Sequence, residues 1–324
     1  MNPREVIPGA WRIELPLPWL LGTINIFLLR TDDGYLLIDC GMDTEACAAA
    51  LDAAFLDLGV AWTDVRRILL THVHPDHIGM APRLLKLTGA ELLMHADDLE
   101  FLHEMSDSGR RGARVQRTLA LAGVPVEMRR DDASAVEIER NFHRLSPDRL
   151  LKCGDVFDTA CGPLEVICTP GHSPGHVCLY ASRHKALFSG DHMLERITPN
   201  INWHPGKDAL GDFLDSLEKV AGIDIELVLP SHGSPFPGHR EWIARTAGHH
   251  EDRCGKILEA LRDGPKTAHE LVADLWTRKL PPFHHRFAVY EVLAHLEYLR
   301  LRGRVRSEAD AGGALWWSRA PAGE

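Results

Sequence analysis

Apolar residues recur along this chain with two different periods, and each switch of period marks a change of element. Asn25 to Arg30 (NIFLLR) and Tyr35 to Asp39 (YLLID) flank Thr31-Asp32-Asp33-Gly34, a turn-forming tetrapeptide, and together predict a β-hairpin. From Thr44 to Leu58 the apolar spacing becomes helical in an Ala-rich segment, and Val65 to Thr71 (VRRILLT) returns to a short strand. A helix over Gly79 to Thr88 and a strand over Ala90 to His95 follow. Short strands are expected again at Leu164 to Cys168, Val177 to Ser182, Ala186 to Ser189 and Leu227 to Leu229, with a helix at Ala209 to Val220 before the last. Strands alternating with helices predict layered α/β packing.

Two stretches depart from this rhythm. Residues from about Asp97 to Lys152 are rich in Arg, Asp and Glu and read as a helical insertion, with helices near Arg114 to Ala122 and Ala133 to Arg144. After Pro237 the pattern becomes helix, turn, helix, helix, wing. Arg240 to Leu261 is long and amphipathic, Gly264-Pro265 ends it, and Thr267-Ala268-His269-Glu270 is a capping box that opens the next helix. Arg286 to Arg302 supplies a third, and Arg304 to Ser307 pairs with Leu315 to Arg319 as a two-stranded wing. The expected organisation is an α/β catalytic domain over 1–238, with the insertion at about 97–152, and a winged-helix-like domain over 239–324.

Composition narrows the class. The chain has 324 residues, 45% of them hydrophobic, enough for a large core and about two domains. No apolar run approaches the ~18 residues of a membrane span. Met1 to Trp11 carries Pro3, Pro8 and Gly9 in place of a basic stretch leading into an apolar one, so a cytoplasmic protein with no membrane partner is expected. Seven cysteines, an odd number with no CxxC pair, predict free and mostly buried thiols. Net charge is −10, but His239 to Glu324 holds 14 Lys+Arg against 12 Asp+Glu, leaving 22 against 34 upstream. An acidic body disfavours a broad nucleic-acid face. Histidine is abundant at 19 copies, and only its arrangement carries information.

That arrangement is sharp at Thr71-His72-Val73-His74-Pro75-Asp76-His77, where four potential ligands lie within six residues directly after a strand. In extended chain His72 and His74 share a face, and Pro75 turns the backbone so that Asp76 and His77 can point to a second ion. Imidazole and carboxylate suit Zn²⁺, Fe²⁺ or Mn²⁺. Three further strand ends bring ligand-type residues in tight turns: Thr169-Pro170-Gly171-His172-Ser173-Pro174-Gly175-His176, Phe188-Ser189-Gly190-Asp191 and Pro230-Ser231-His232-Gly233.

In type and order this set resembles the motifs of the metallo-β-lactamase superfamily, and Leu36 to Gly41 (LLIDCG) looks like that family's upstream Asp motif. The resemblance covers residues 1 to about 236. It implies the four-layer αβ/βα fold and a pair of metals. His72, His74 and His172 would hold one ion, Asp76, His77 and His232 the other, and Asp191 would bridge; zinc is expected, with iron or manganese as alternatives. Two ions ~3.5 to 4 Å apart can share a hydroxide that attacks a carbonyl or phosphoryl centre. Asp39 would orient a ligand. Asp76, beside the nucleophile, and His192, as a proton donor, are the candidate catalytic groups. His176 is expected to be structural, and Met80, Met193, Asn202 and Trp203 are candidate pocket residues.

Departures from the pattern restrict the substrate. Common dinuclear β-lactamases have Cys where this chain has Asp191, flavodiiron proteins have Glu at the position of His74, glyoxalase II enzymes follow the last His with Glu-Tyr, and homoserine lactonases usually have Tyr where Leu194 stands. Hydrolysis of a small ester, thioester or lactone is expected, with a homodimer possible. The tail resembles the winged-helix tail of lactamase-like proteins related to the mitochondrial lactamase-like ribonucleases, so an RNA-cleaving or nucleic-acid-binding protein is the alternative, with Arg300, Arg302, Arg304 and Arg306, and Lys279 and Arg286 nearby, as phosphate contacts.

Overall fold

The computed structural model describes residues 3–18, 21–129, 142, 144–277 and 280–321. Fifteen strands form three sheets among these residues. The first sheet has the order β1 (Arg4–Ile7), β2 (Ala10–Pro16), β3 (Thr23–Thr31), β4 (Gly34–Ile38), β5 (Val65–Leu69), β6 (Glu91–His95), β7 (Arg149–Leu151). The second runs β12 (Leu227–Pro230), β11 (Ala186–Gly190), β10 (Val177–Ala181), β9 (Gly162–Cys168), β8 (Val156–Thr159). Pairing is parallel from β4 through β7 and between β11 and β12.

The near-continuous apolar runs are explained by burial on both faces of each sheet. In β3, Ile24, Ile26 and Leu28 point to one core and Phe27 and Leu29 to another. The first core lies between the sheet and the helices Glu45–Leu58 and Ala81–Thr88, where Leu51, Phe55 and Leu84 meet it. The second lies between the sheets, where Phe27 and Phe188 pack edge to face at 5.0 Å. Beyond the second sheet, Cys178, Leu187 and Val228 meet the helix Ala209–Ala221. The layers are therefore helix, sheet, sheet, helix, as expected from the motifs.

Strands β1, β2, β7 and β8 were not anticipated. The alternation of Ile13 and Leu15 in β2 was available as a signal, whereas β7 and β8 are too short to show a period. The insertion contributes helices Ala96–Met105 and Ser108–Leu121; the helix expected over Ala133 to Arg144 falls almost wholly outside the described residues. The expectation of free thiols is corrected at one pair. Cys153 and Cys168 form a disulfide, because the β8–β9 hairpin folds residue 168 back on the β7–β8 turn, while Cys40, Cys47, Cys161, Cys178 and Cys254 are free and buried.

The C-terminal region consists of helices His239–Ala260, Ala268–Leu275 and Pro282–Leu301 and a small sheet of order β13 (Lys266–Thr267), β15 (Leu315–Arg319), β14 (Val305–Ala309). Thr267 and Glu270 complete the capping box in both directions. This region does not stand apart. Val115 and Leu119 of the insertion, Phe213 and Leu217, and Trp242, Leu271, Leu293 and Trp317 belong to one continuous apolar cluster. No helix among the described residues is long and apolar enough to cross a membrane.

Candidate metal centre

All the expected ligands stand at strand ends on one rim of the two sheets. Strand β5 delivers Thr71 and His72, and His74 caps a four-residue helix, Pro75–Ile78. Proline suits the first helical position because its fixed φ matches the helix and its missing N–H is not needed there. One turn then presents Asp76 and His77. His172 follows β9, Asp191 follows β11 and His232 follows β12.

The side chains converge in two groups. Donor atoms of His72, His74, His172 and Asp191 lie within 4.8 Å of one another, and those of Asp76, His77 and His232 do likewise. Asp191 stands between them. Its Oδ2 is 3.4 Å from His172 Nε2 and 3.9 Å from His72 Nε2, while its Oδ1 is 3.4 Å from His77 Nε2 and 3.6 Å from His232 Nε2. Asp76 Oδ2 is 3.2 Å from His232 Nε2.

The opposite nitrogen of most rings is tied to the scaffold. His77 Nδ1 meets Asp39 Oδ2 at 2.8 Å, His172 Nδ1 meets the Asn200 carbonyl at 2.9 Å, His232 Nδ1 meets the Thr23 carbonyl at 2.9 Å, and His72 Nδ1 meets Thr71 Oγ1 at 3.1 Å. A carbonyl or carboxylate can only accept, so these Nδ1 atoms of His77, His172 and His232 carry a proton, and in the neutral ring the lone pair is on Nε2. Those three Nε2 atoms are buried without a hydrogen-bond partner. Lone pairs left bare beside two carboxylates form a donor set that fits a divalent cation.

Asp39 is buried and adopts a left-handed backbone, φ 62°, which a non-glycine residue holds only when its surroundings enforce it. Its Oδ1 accepts the Thr71 amide at 2.8 Å, so one carboxylate sets both the motif's backbone and the His77 ring. His176 is likewise a support: its Nε2 accepts the Asp191 amide at 3.1 Å. Gly190 has φ 49°, and a Cβ there would lie 2.7 Å from His176 Nε2. Ser231 Oγ donates to Asp191 Oδ1.

Burial, followed by the charges of neighbouring rings, drives the His72 pKa well down; burial likewise brings His74 down to about 3. Burial opposes charge on His77 too, yet the carboxylates of Asp39, Asp191 and Asp76 outweigh it and raise its pKa well above the ordinary value, so a cation bound at Nε2 would have to displace a proton that the same carboxylates favour. The carboxylates of Asp39, Asp76 and Asp191 thus favour positive charge among these imidazoles.

Several other expectations meet a specific placement. His192 is wholly buried with its ring on Phe213 at 5.2 Å, burial brings its pKa down to about 3, and neither ring nitrogen meets a partner. Met80 and Met193 are core residues, while Asn202 and Trp203 are half-buried on the loop after Asn200. One functional residue was missed. Asp98 of the insertion accepts from Ser173 Oγ at 2.8 Å and from the Gly175 amide at 2.6 Å, fixing the loop that carries His172. It lies in a charged stretch read only as a helical insertion, where no local pattern distinguishes it.

The family model of the metallo-beta-lactamase superfamily matches residues 19–232, and that of the metallo-beta-lactamase-like C-terminal domain matches residues 254–320. This chain belongs to the metallo-β-lactamase superfamily and is a metal-dependent hydrolase of that family. It is 24% identical over 310 residues to the probable metallo-hydrolase YqjP of Bacillus subtilis, covering 91% of this chain and 93% of that protein. It is 29% identical over 244 residues to the human acyl-coenzyme A thioesterase MBLAC2, covering 71% and 80%. The crystal structure of the metallo-beta-lactamase family protein TTHA1429 from Thermus thermophilus is similar with a TM-score of 0.84 at 31% identity, covering 97% of this chain and 100% of that one.

Proposed function

We propose that this chain hydrolyses a small acyl thioester at a dinuclear centre, most naturally zinc, in which His72, His74 and His172 hold one ion, Asp76, His77 and His232 the other, and Asp191 both. The observation that carries the reading is the placement of Asp191, whose two oxygens address the two histidine groups separately. An all-nitrogen and oxygen donor set suits zinc and also admits iron or manganese. Bound there, two divalent ions would supply a hydroxide at neutral pH and polarise the substrate carbonyl. The protein's part is to hold these donors rigidly through Asp39, Thr23, Asn200 and Ser231, and to offer Asp76 as the acceptor for the proton released in the attack.

The thioester class is supported by the similarity to MBLAC2. The ribonuclease alternative draws on the basic run at 300–306, and that run is largely engaged within the protein. Arg300 is paired with Glu297 at 2.7 Å, and Arg302 with Asp208 at 2.7 Å while lying over the Tyr298 ring at 3.5 Å. A panel of acyl-CoA thioesters, lactones, simple esters and single-stranded RNA, run on zinc-loaded protein, tests the assignment. Thioester turnover that a chelator removes and zinc restores is expected; turnover of RNA alone would overturn it.

A further inference from the structure

Where the insertion meets the loop between Asp191 and the helix Ala209–Ala221, a side-chain cluster lies outside the ligand set. Arg114, on the helix Ser108–Leu121, donates from Nη1 to Glu104 Oε2 at 2.6 Å and from Nη2 to His204 Nδ1 at 3.1 Å. Its guanidinium lies over the Phe101 ring at 5.4 Å, and Phe101 packs edge-on against His204 at 5.0 Å. The same loop carries Asn200, whose carbonyl accepts from the ligand His172. The cluster is thus one short loop away from the metal centre.

A guanidinium can only donate, so His204 Nδ1 must accept and the ring's single proton must sit on Nε2. That Nε2–H meets no protein acceptor among the described residues and is not one of the wholly buried unpartnered atoms, so it keeps contact with solvent although His204 is only 9% exposed. The charged groups around the ring are Arg114 and Lys207, with Glu104 behind Arg114; burial, then these two cations, keep the imidazole neutral. The positive charge of Arg114 is matched by Glu104, so the group that faces outward is a directed neutral donor. Such a donor suits an uncharged carbonyl oxygen better than a phosphate or a carboxylate, which favour charged partners.

Resting on the thioesterase reading, we propose that His204 is a specificity residue whose Nε2–H donates to an amide carbonyl of the pantetheine-type arm of the substrate, with Arg114 as the positioning residue that fixes its tautomer. The chemical class selected is an acyl thioester bearing an amide-containing arm. Esters and lactones without that arm forgo the contact.

Two measurements on the zinc-loaded full-length protein test this. Long-range ¹H–¹⁵N NMR, with His204 assigned by comparison with His204→Gln, should show the Nε2–H tautomer without titration between pH ~6 and ~8; a Nδ1–H tautomer or a protonated ring overturns the proposal. Kinetics should compare an acyl-pantetheine thioester with the same acyl group on a simple thiol that lacks amides. His204→Phe should raise KM for the pantetheine thioester about 3- to 10-fold with kcat nearly unchanged, leave the simple thioester unaffected, and be largely rescued in His204→Gln, which retains an N–H donor. Equal losses on both substrates would place the donor at the reacting carbonyl and overturn the arm assignment, as would no change on either. Wild-type protein inert towards both thioesters would instead refute the thioesterase reading, and the NMR result would stand by itself.

Discussion

Buried histidines are used in opposite ways in the metal centre and in the C-terminal helices. At the centre, the scaffold occupies one nitrogen of most rings and leaves Nε2 of His77, His172 and His232 bare among carboxylates. Between helices His239–Ala260 and Pro282–Leu301 the polar groups close on one another. His295 Nδ1 donates to the Glu291 carbonyl at 2.7 Å, so its Nε2 must accept from His250 Nδ1 at 3.1 Å, and Arg253 takes the Glu291 carboxylate at 2.7 Å. His250, Glu291 and His295 also bring donor atoms within 4.8 Å of one another. That group nevertheless has its charges matched: His250 Nε2 also keeps an unpartnered lone pair, but the group's one carboxylate, Glu291, is engaged by Arg253. Proximity of imidazoles does not make a metal site; which nitrogen the surroundings occupy, and how many carboxylates remain free, decides it.

The contrast is most exposed at Asp191. Asp191→Ala removes the one carboxylate shared by both histidine groups, and zinc content measured under metal-replete conditions should fall below two per chain. Thioester turnover should drop by at least about 10³-fold, roughly 4 kcal/mol of transition-state stabilisation. Full occupancy with intact turnover would break the bridging assignment.

A smaller loss is expected one layer out. Asp39→Asn keeps the shape but weakens the acceptor for His77 Nδ1, and metal affinity measured by competition with a chelator should fall about 10- to 100-fold while the fold persists. Unchanged affinity would reduce Asp39 to a backbone support for Thr71.

The smallest effect belongs to the closed pair and appears with pH. Burial brings His250 and His295 down to about 3 from the ordinary 6.5. The unfolded chain therefore binds protons that the folded pair refuses, so their contribution to stability is intact above pH ~6.5 and is lost progressively as pH falls towards ~3. A His250→Leu/His295→Leu variant should lose less thermal stability than wild type between pH ~6.5 and ~4, with zinc content unaltered. An unchanged acid profile would mean that other buried imidazoles govern it, and lost zinc would tie this pair to the metal centre after all.

Much of this molecule was written locally. The hairpin at Thr31 to Gly34, the strands before each ligand, the capping box at Thr267 and the order of the seven metal-type residues all depend on periods and turn chemistry spanning a few residues, and such patterns survive in a linear reading. Tertiary structure alone decided the rest. Asp98 reaches a loop 75 residues further on, Arg114 meets His204 across 90, and Asn25 meets the Pro230 carbonyl across 205. The disulfide and the core that joins the insertion to the C-terminal helices likewise follow from where the sheets bring distant segments. Hydrogen bonds and apolar contacts act over a few ångströms of space, and a chain's spacing records those distances only where its neighbours in space are also its neighbours in sequence.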